Sequence, residues 1–122
     1  MSTQGGRYAV YTERLIASVT SPSGHTRSDL RQAVLVVAAR LGGGPDGPGE
    51  MGSSHAVPPV YADYLDKVAR HAYRVSDADV AALQGAGLSD DAIFEVTIAG
   101  AVGAALGRLE RGLQALRGEE PD

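Results

Sequence analysis

The chain has 122 residues, 15 acidic against 11 Lys and Arg, a formal net charge of −4 and no cysteine. That size suits one compact domain. The acidic balance lacks the clustered cations that a phosphate backbone requires, which argues against nucleic acid. The absence of cysteine excludes disulfides, thiol redox chemistry and thiolate-bound metals.

The first ten residues, MSTQGGRYAV, have neither the basic region nor the apolar run of a signal peptide, so the expected compartment is the cytoplasm. Over residues 7–19, Tyr8, Tyr11, Leu15 and Val19 recur at helical spacing, with Glu13 and Arg14 on another face. Pro22 and Gly24 end this first helix, and Thr26 is placed to cap the next, with Asp29 three residues on as a capping-box partner. The second helix is expected over residues 27–41, with Leu30, Ala33, Val34, Val37, Ala38 and Leu41 inward and the following glycines as a left-handed stop. The β-branched run VLVV inside it also suits a strand, but no second strand candidate exists to pair with it.

A Gly/Pro-rich loop follows, over about residues 42–57, and reads as a surface linker or a lid. Pro58 and Pro59 suit the first turn of a third helix running to about Arg74, with Val60, Tyr61, Tyr64, Leu65, Val68, Ala72 and Val75 on its inward face. Asp63 to Lys67 and Asp66 to Arg70 are i,i+4 pairs on its outer face. Ser76 and Asp79 form a capping box for a short fourth helix ended by Gly87. Ser89 then caps a long fifth helix, with Asp90 and Asp91 complementing its dipole. Residues 118–122 are an acidic tail.

The fifth helix dominates the chain. Between Ala92 and Gly107 its only charge is Glu95, so it must lie inside something. Gly100, Gly103, Gly107 and Gly112 each cost about 1 kcal/mol relative to alanine in a helix, and close approach by the third helix or by a neighbouring subunit would compensate. This apolar run is shorter than the ~20 residues of a membrane span and contains a carboxylate, so no membrane is expected. The predicted architecture is all-α, a bundle of about five helices in a single domain over residues 1–122, with a long central C-terminal helix.

Residues 61–116 resemble the C-terminal half of the carboxymuconolactone decarboxylase and AhpD-like alkylhydroperoxidase superfamily. The resemblance lies in a short helix ending Ala-Gly-Leu-Ser-Asp (Ala86 to Asp90), an Ile-Phe-Glu turn (Ile93 to Glu95), and a small-residue helix closing in Arg-Leu. It implies an AhpD-like helical bundle that assembles as a homo-oligomer, a trimer or hexamer, with sites near subunit interfaces. The family's peroxidase branch carries Cys-x-x-Cys and a following His. The aligned positions here fall near Ala72 and Val75, and near Ala78 or Asp79, so none matches. Without a thiolate nucleophile the peroxidase and disulfide-reductase reactions are ruled out. The decarboxylase branch works without that pair, by acid/base chemistry.

Four residues are candidates for such chemistry. His71 lies at the edge of the third helix's apolar face, and an imidazole is the natural general base near neutral pH. Glu95 shares a helical stripe with Val102, Leu106, Leu109 and Leu113. Buried alone it would have a raised pKa and act as acid or base; paired with Arg70 or Arg74 it would be structural. Tyr64 and Tyr73 are candidates to bind a small organic ligand, although tyrosines at this spacing also fit a core with wet hydroxyls. His25 and His55 sit in loops, no metal-ligand spacing occurs, and GGGPDGPG lacks the Lys-Ser/Thr of a phosphate loop. No cofactor or metal is expected. Three functions follow: a cysteine-free homo-oligomeric binding or assembly protein, a cysteine-independent enzyme acting on a small organic acid or lactone, or an inert helical scaffold whose segment 42–59 binds a partner.

Overall fold

The computed structural model of the chain describes residues 6–43 and 57–118. The linker expected over about residues 42–57 lies almost wholly outside them, as do His55 and most of the acidic tail. Five α-helices occupy the described residues, with no strand among them: α1 (Gly6–Val19), α2 (Ser28–Leu41), α3 (Ala62–Arg70), α4 (Asp77–Gly85) and α5 (Asp90–Leu116). Short 3-10 turns at Pro59–Tyr61 and Ala72–Arg74 flank α3. The expected all-α bundle with a long C-terminal helix is observed, and VLVV is helical.

Local chemistry accounts for most boundaries. Ser76 accepts from the Asp79 N–H while the Asp79 carboxylate accepts from the Ser76 N–H, completing the capping box of α4. Gly87, with φ of 98°, ends α4: its N–H reaches the Gln84 carbonyl, and the Leu88 N–H reaches that of Leu83, a Schellman motif. Ser89 accepts from the Ala92 N–H to start α5. After α2 the left-handed residue is Gly43, φ 111°, one beyond the C-cap Gly42.

Three expectations about helix ends and charge pairs require correction. The third helix stops at Arg70 rather than running to Arg74, because His71 leaves helical geometry with φ −142° and ψ 52°. Asp29 is not a capping-box partner: α2 has Arg27 at its N-cap without a side-chain cap, and Asp29 pairs with Arg27. Lys67 bonds to Asp79 at 2.7 Å rather than pairing with Asp63, tying α3 to α4, whereas Asp66 and Arg70 do pair, at 3.5 Å.

The core forms where α2 and α3 lie on α5. Val34, Ala38, Tyr61, Leu65, Ala69, Val96, Ala99 and Ala104 make one buried cluster, and Tyr64, Val68, Leu83 and Ile93 a second toward α4. Leu65, Val34 and Val96 are the largest fully buried side chains, worth about 1.5–3 kcal/mol each. The α5 glycines serve this packing chiefly against the second helix, not the third. A Cβ on Gly103 would overlap the Leu35 backbone, and one on Gly107 would overlap that of Ala39. Gly42 at the end of α2 meets the Ala104 backbone in the same way, so the α2–α5 seam has glycine on both sides. Gly100 is the one that faces α3, with its missing Cβ 2.8 Å from Leu65 Cδ1. Gly112 has nothing within 4 Å.

On α1 the inward face is Ala9, Thr12, Ile16 and Val19, all half-buried, while Tyr11 and Leu15, expected on the apolar stripe, point outward. By length and composition α5 would suffice to cross a membrane, but its inner face is spent on the core.

Candidate functional site

The most elaborate polar arrangement lies where the α1–α2 loop meets the first turns of α5. It centres on Arg31, a residue outside the apolar stripe predicted for α2 and yet only 3% exposed. The position falls one turn before Val34 and Leu35 on the buried face, so the α2 register carries the guanidinium into the protein. There Nε donates to Thr26 Oγ1 at 2.9 Å, Nη1 to the Val19 carbonyl at 2.7 Å, and Nη2 to the carbonyls of Ser21 and Thr26 at 2.6 and 3.0 Å. One buried cation thus collects the unsatisfied carbonyls at the end of α1 and in the following turn.

Glu95 supplies the countercharge. Its Oε1 stands 3.7 Å from Arg31 Nε and accepts from the Thr26 N–H and hydroxyl, both at 2.7 Å. Its Oε2 accepts from the His25 N–H at 2.6 Å. Desolvation pushes the Glu95 carboxyl upward, but the His25 N–H, the Thr26 hydroxyl and the Thr26 N–H together outweigh it. The pKa falls from 4.5 to about 2. Glu95 is therefore not the raised, unpartnered carboxylate that burial alone would create. Its cationic partner is Arg31, not Arg70 or Arg74. Thr26, read as a helix cap, instead accepts from Arg31 and donates to Glu95.

Beside this cluster is a shallow cleft of about 220 Å³, bounded by Ser18, Ser21, Gly24, Phe94, Glu95 and Ile98. A second, of about 330 Å³, lies between α4 and α5 and is lined by Val80, Gln84, Asp90, Ile93, Phe94 and Thr97. Phe94 stands between the two, 65% exposed. His25, exposed as expected, places its Nε2 3.6 Å from Asp91 at the rim.

The other candidates lie in different surroundings. Tyr64 is buried, and its hydroxyl meets Thr97 Oγ1 at 2.6 Å; because Thr97 donates to the Ile93 carbonyl, the tyrosine is the donor. His71 packs edge-to-face with Tyr73, ring centroids 6.1 Å apart. Tyr73 is 80% exposed, with the Arg74 guanidinium 5.7 Å from its ring centre. The contacts of Glu95 come from the α1–α2 loop and α2, and those of His71 from the end of α3 and the turn after it. Among the described residues no hydrogen bond, ion pair or ring contact joins the two, and none joins Tyr64 to Tyr73. Among the described residues no group of His, Asp and Glu has the proximity to hold a metal ion.

Sequence reading missed Arg31 because an arginine at the head of an amphipathic helix reads as solvated. The available signal was its i,i+3,i+4,i+7 relation to Val34, Leu35 and Ala38. The chain matches no protein-family model, no curated protein and no solved structure at a significant level.

Proposed function

We propose that this chain is a cysteine-free carboxymuconolactone decarboxylase-like and AhpD-like protein without peroxidase activity, acting as a homo-oligomeric binding or assembly protein. The observation that carries the reading is the amount of large apolar surface left outside. Tyr11 and Phe94 are each 65% exposed, Leu15 is 44% and Leu109 is 47%, all on helices, where solvent-facing positions are ordinarily polar. The lack of any cysteine supports the exclusion of thiol chemistry.

An acid/base enzyme built on Glu95 would need a carboxyl that exchanges protons near neutral pH, whereas three donors keep this one ionised. The polar cluster reads better as a latch: it pins the α1–α2 loop to α5 and so sets the surface that a partner meets. Sedimentation velocity at micromolar concentration tests the proposal. A sedimentation coefficient above that of a 12.6 kDa monomer is expected, and a monomer throughout would refute it.

A further inference from the structure

The α5 helix carries a second apolar face, directed away from α2. Phe94, Ile98, Ala101, Ala105, Leu109, Gly112 and Leu116 follow one another at intervals of three and four residues, and every one is exposed. This line is uncharged from end to end. Beyond Gly107 no α5 residue is buried: Arg108 bonds back to the Ala69 carbonyl, and past it only Leu113 and Gln114 are half-covered.

Two further features indicate what packs there. The first is charge. The N-terminal end of α5 carries Asp90 and Asp91, besides the Glu95 already paired with Arg31, whereas its C-terminal end carries Arg108, which also bonds the Ala69 carbonyl, and Arg111, with Arg117 at the C-cap, against Glu110. A second copy laid antiparallel sets acidic end over basic end and opposes the helix dipoles; a parallel copy stacks like on like. The second is Gly112. Gly100, Gly103 and Gly107 are each explained by a close neighbour within the chain, but Gly112 meets nothing, so its cost in helix propensity has no return in the single chain.

We infer that α5 pairs antiparallel with α5 of a second copy about a two-fold axis level with Gly103, so that each Phe94 seats over Gly112 of the partner subunit. The sequence arithmetic is self-consistent: positions 94 and 112, 98 and 108, and 101 and 105 are each symmetric about 103. The exposed aromatic thus meets the glycine, Ile98 lies beside Leu109 of the partner subunit, and the crossing point is Ala101 on Ala105, where small side chains permit close approach. This deepens the homo-oligomer reading and rests on it.

The absence of native cysteine makes a direct test simple. Tagged Ala101→Cys chain is mixed with untagged Ala105→Cys chain and oxidised mildly, and sedimentation is run on the wild type, Phe94→Asp and Gly112→Leu. Expected are a mixed disulfide dimer in preference to either homodimer, and at least a tenfold weaker self-association in both variants with unchanged helicity. For Gly112→Leu this occurs although leucine is the better helix former. A monomeric wild type would refute oligomerisation itself. An oligomer that survives both substitutions would refute only the α5 seam. Dominant Ala101→Cys homodimer would show parallel pairing and overturn the proposal. So would a wild type that stays monomeric yet binds phospholipid vesicles through Phe94, which would assign the stripe to a membrane surface.

Discussion

Replacing Glu95 with glutamine tests the latch directly. The carboxylate receives three hydrogen bonds and neutralises Arg31. Glutamine keeps the size, but it turns an NH2 donor toward donors and removes the countercharge of a cation that is 3% exposed. Holding the carboxyl at about 2 instead of 4.5 corresponds to about 3 kcal/mol at neutral pH. Solvent access to Glu95 reduces this to roughly 2 kcal/mol. For a domain of this size that lowers Tm by about 6–10 °C. The sign of the pH dependence follows from a depressed folded-state pKa: the contribution is complete above about pH 4.5 and is lost as pH falls through about 2. Urea denaturation of wild type and Glu95→Gln, followed by far-UV circular dichroism from pH 2 to 7, should show a stability gap that is widest near neutrality and narrows across that window. A gap that is absent at pH 7, or constant down to pH 2, would refute the assignment of Glu95 as an ionised anchor.

The glycine seam predicts that Gly103→Ala or Gly107→Ala destabilises by about 1–3 kcal/mol or more, because the new methyl meets backbone that cannot move aside. Gly85→Ala, in open space on α4, should instead stabilise by up to about 1 kcal/mol; calorimetry on the three variants distinguishes the signs. Tyr64→Phe should cost about 1 kcal/mol through loss of the hydroxyl donated to Thr97. A double-mutant cycle with Thr97→Val should give a coupling of about 0.5–1.5 kcal/mol, and strict additivity would show that the bond contributes nothing.

The fold was legible because periodicity and punctuation agree. Ser76 with Asp79, Ser89, and Gly87 mark three helix ends by their own chemistry, and the apolar spacing between them has one period. What escaped was tertiary in origin. Four glycines in one helix announce close contact, but nothing in their spacing says whether α2, α3 or another chain approaches. The geometry divides them, with Gly103 and Gly107 on α2, Gly100 on α3 and Gly112 on none. Glu95 stood out as the lone charge in an apolar run, yet its partners come from residues about 70 positions earlier, brought near only by folding. Two of those bonds are from backbone N–H groups, which carry no residue signature at all. Arg31 was hidden for the opposite reason: its chemistry is visible, but a buried arginine is recognisable only when several carbonyls converge on it.

The glycine seam and the exposed stripe are two sides of one arrangement. On the face of α5 turned toward α2, Gly103, Ala104 and Gly107 let the helices approach closely, beside the buried Val96 and Ala99. Ile93 and Val96 are buried, but four larger apolar groups of α5, Phe94, Ile98, Leu109 and Leu116, are left exposed on the opposite face. Burying those four as well would add about 1.5–3 kcal/mol for each side chain, stabilisation that the single chain forgoes. Glycine at the α2 seam and exposed large side chains on the other face make sense together when the seam sets position and the outer face supplies binding area. The Arg31–Glu95 latch lies at the end where both faces meet: Glu95 adjoins Phe94 in sequence, and Ile98 borders the same cleft. Loosening the latch should therefore weaken self-association as well as folding, and a Glu95→Gln chain that unfolds earlier yet associates as tightly as wild type would separate the two roles.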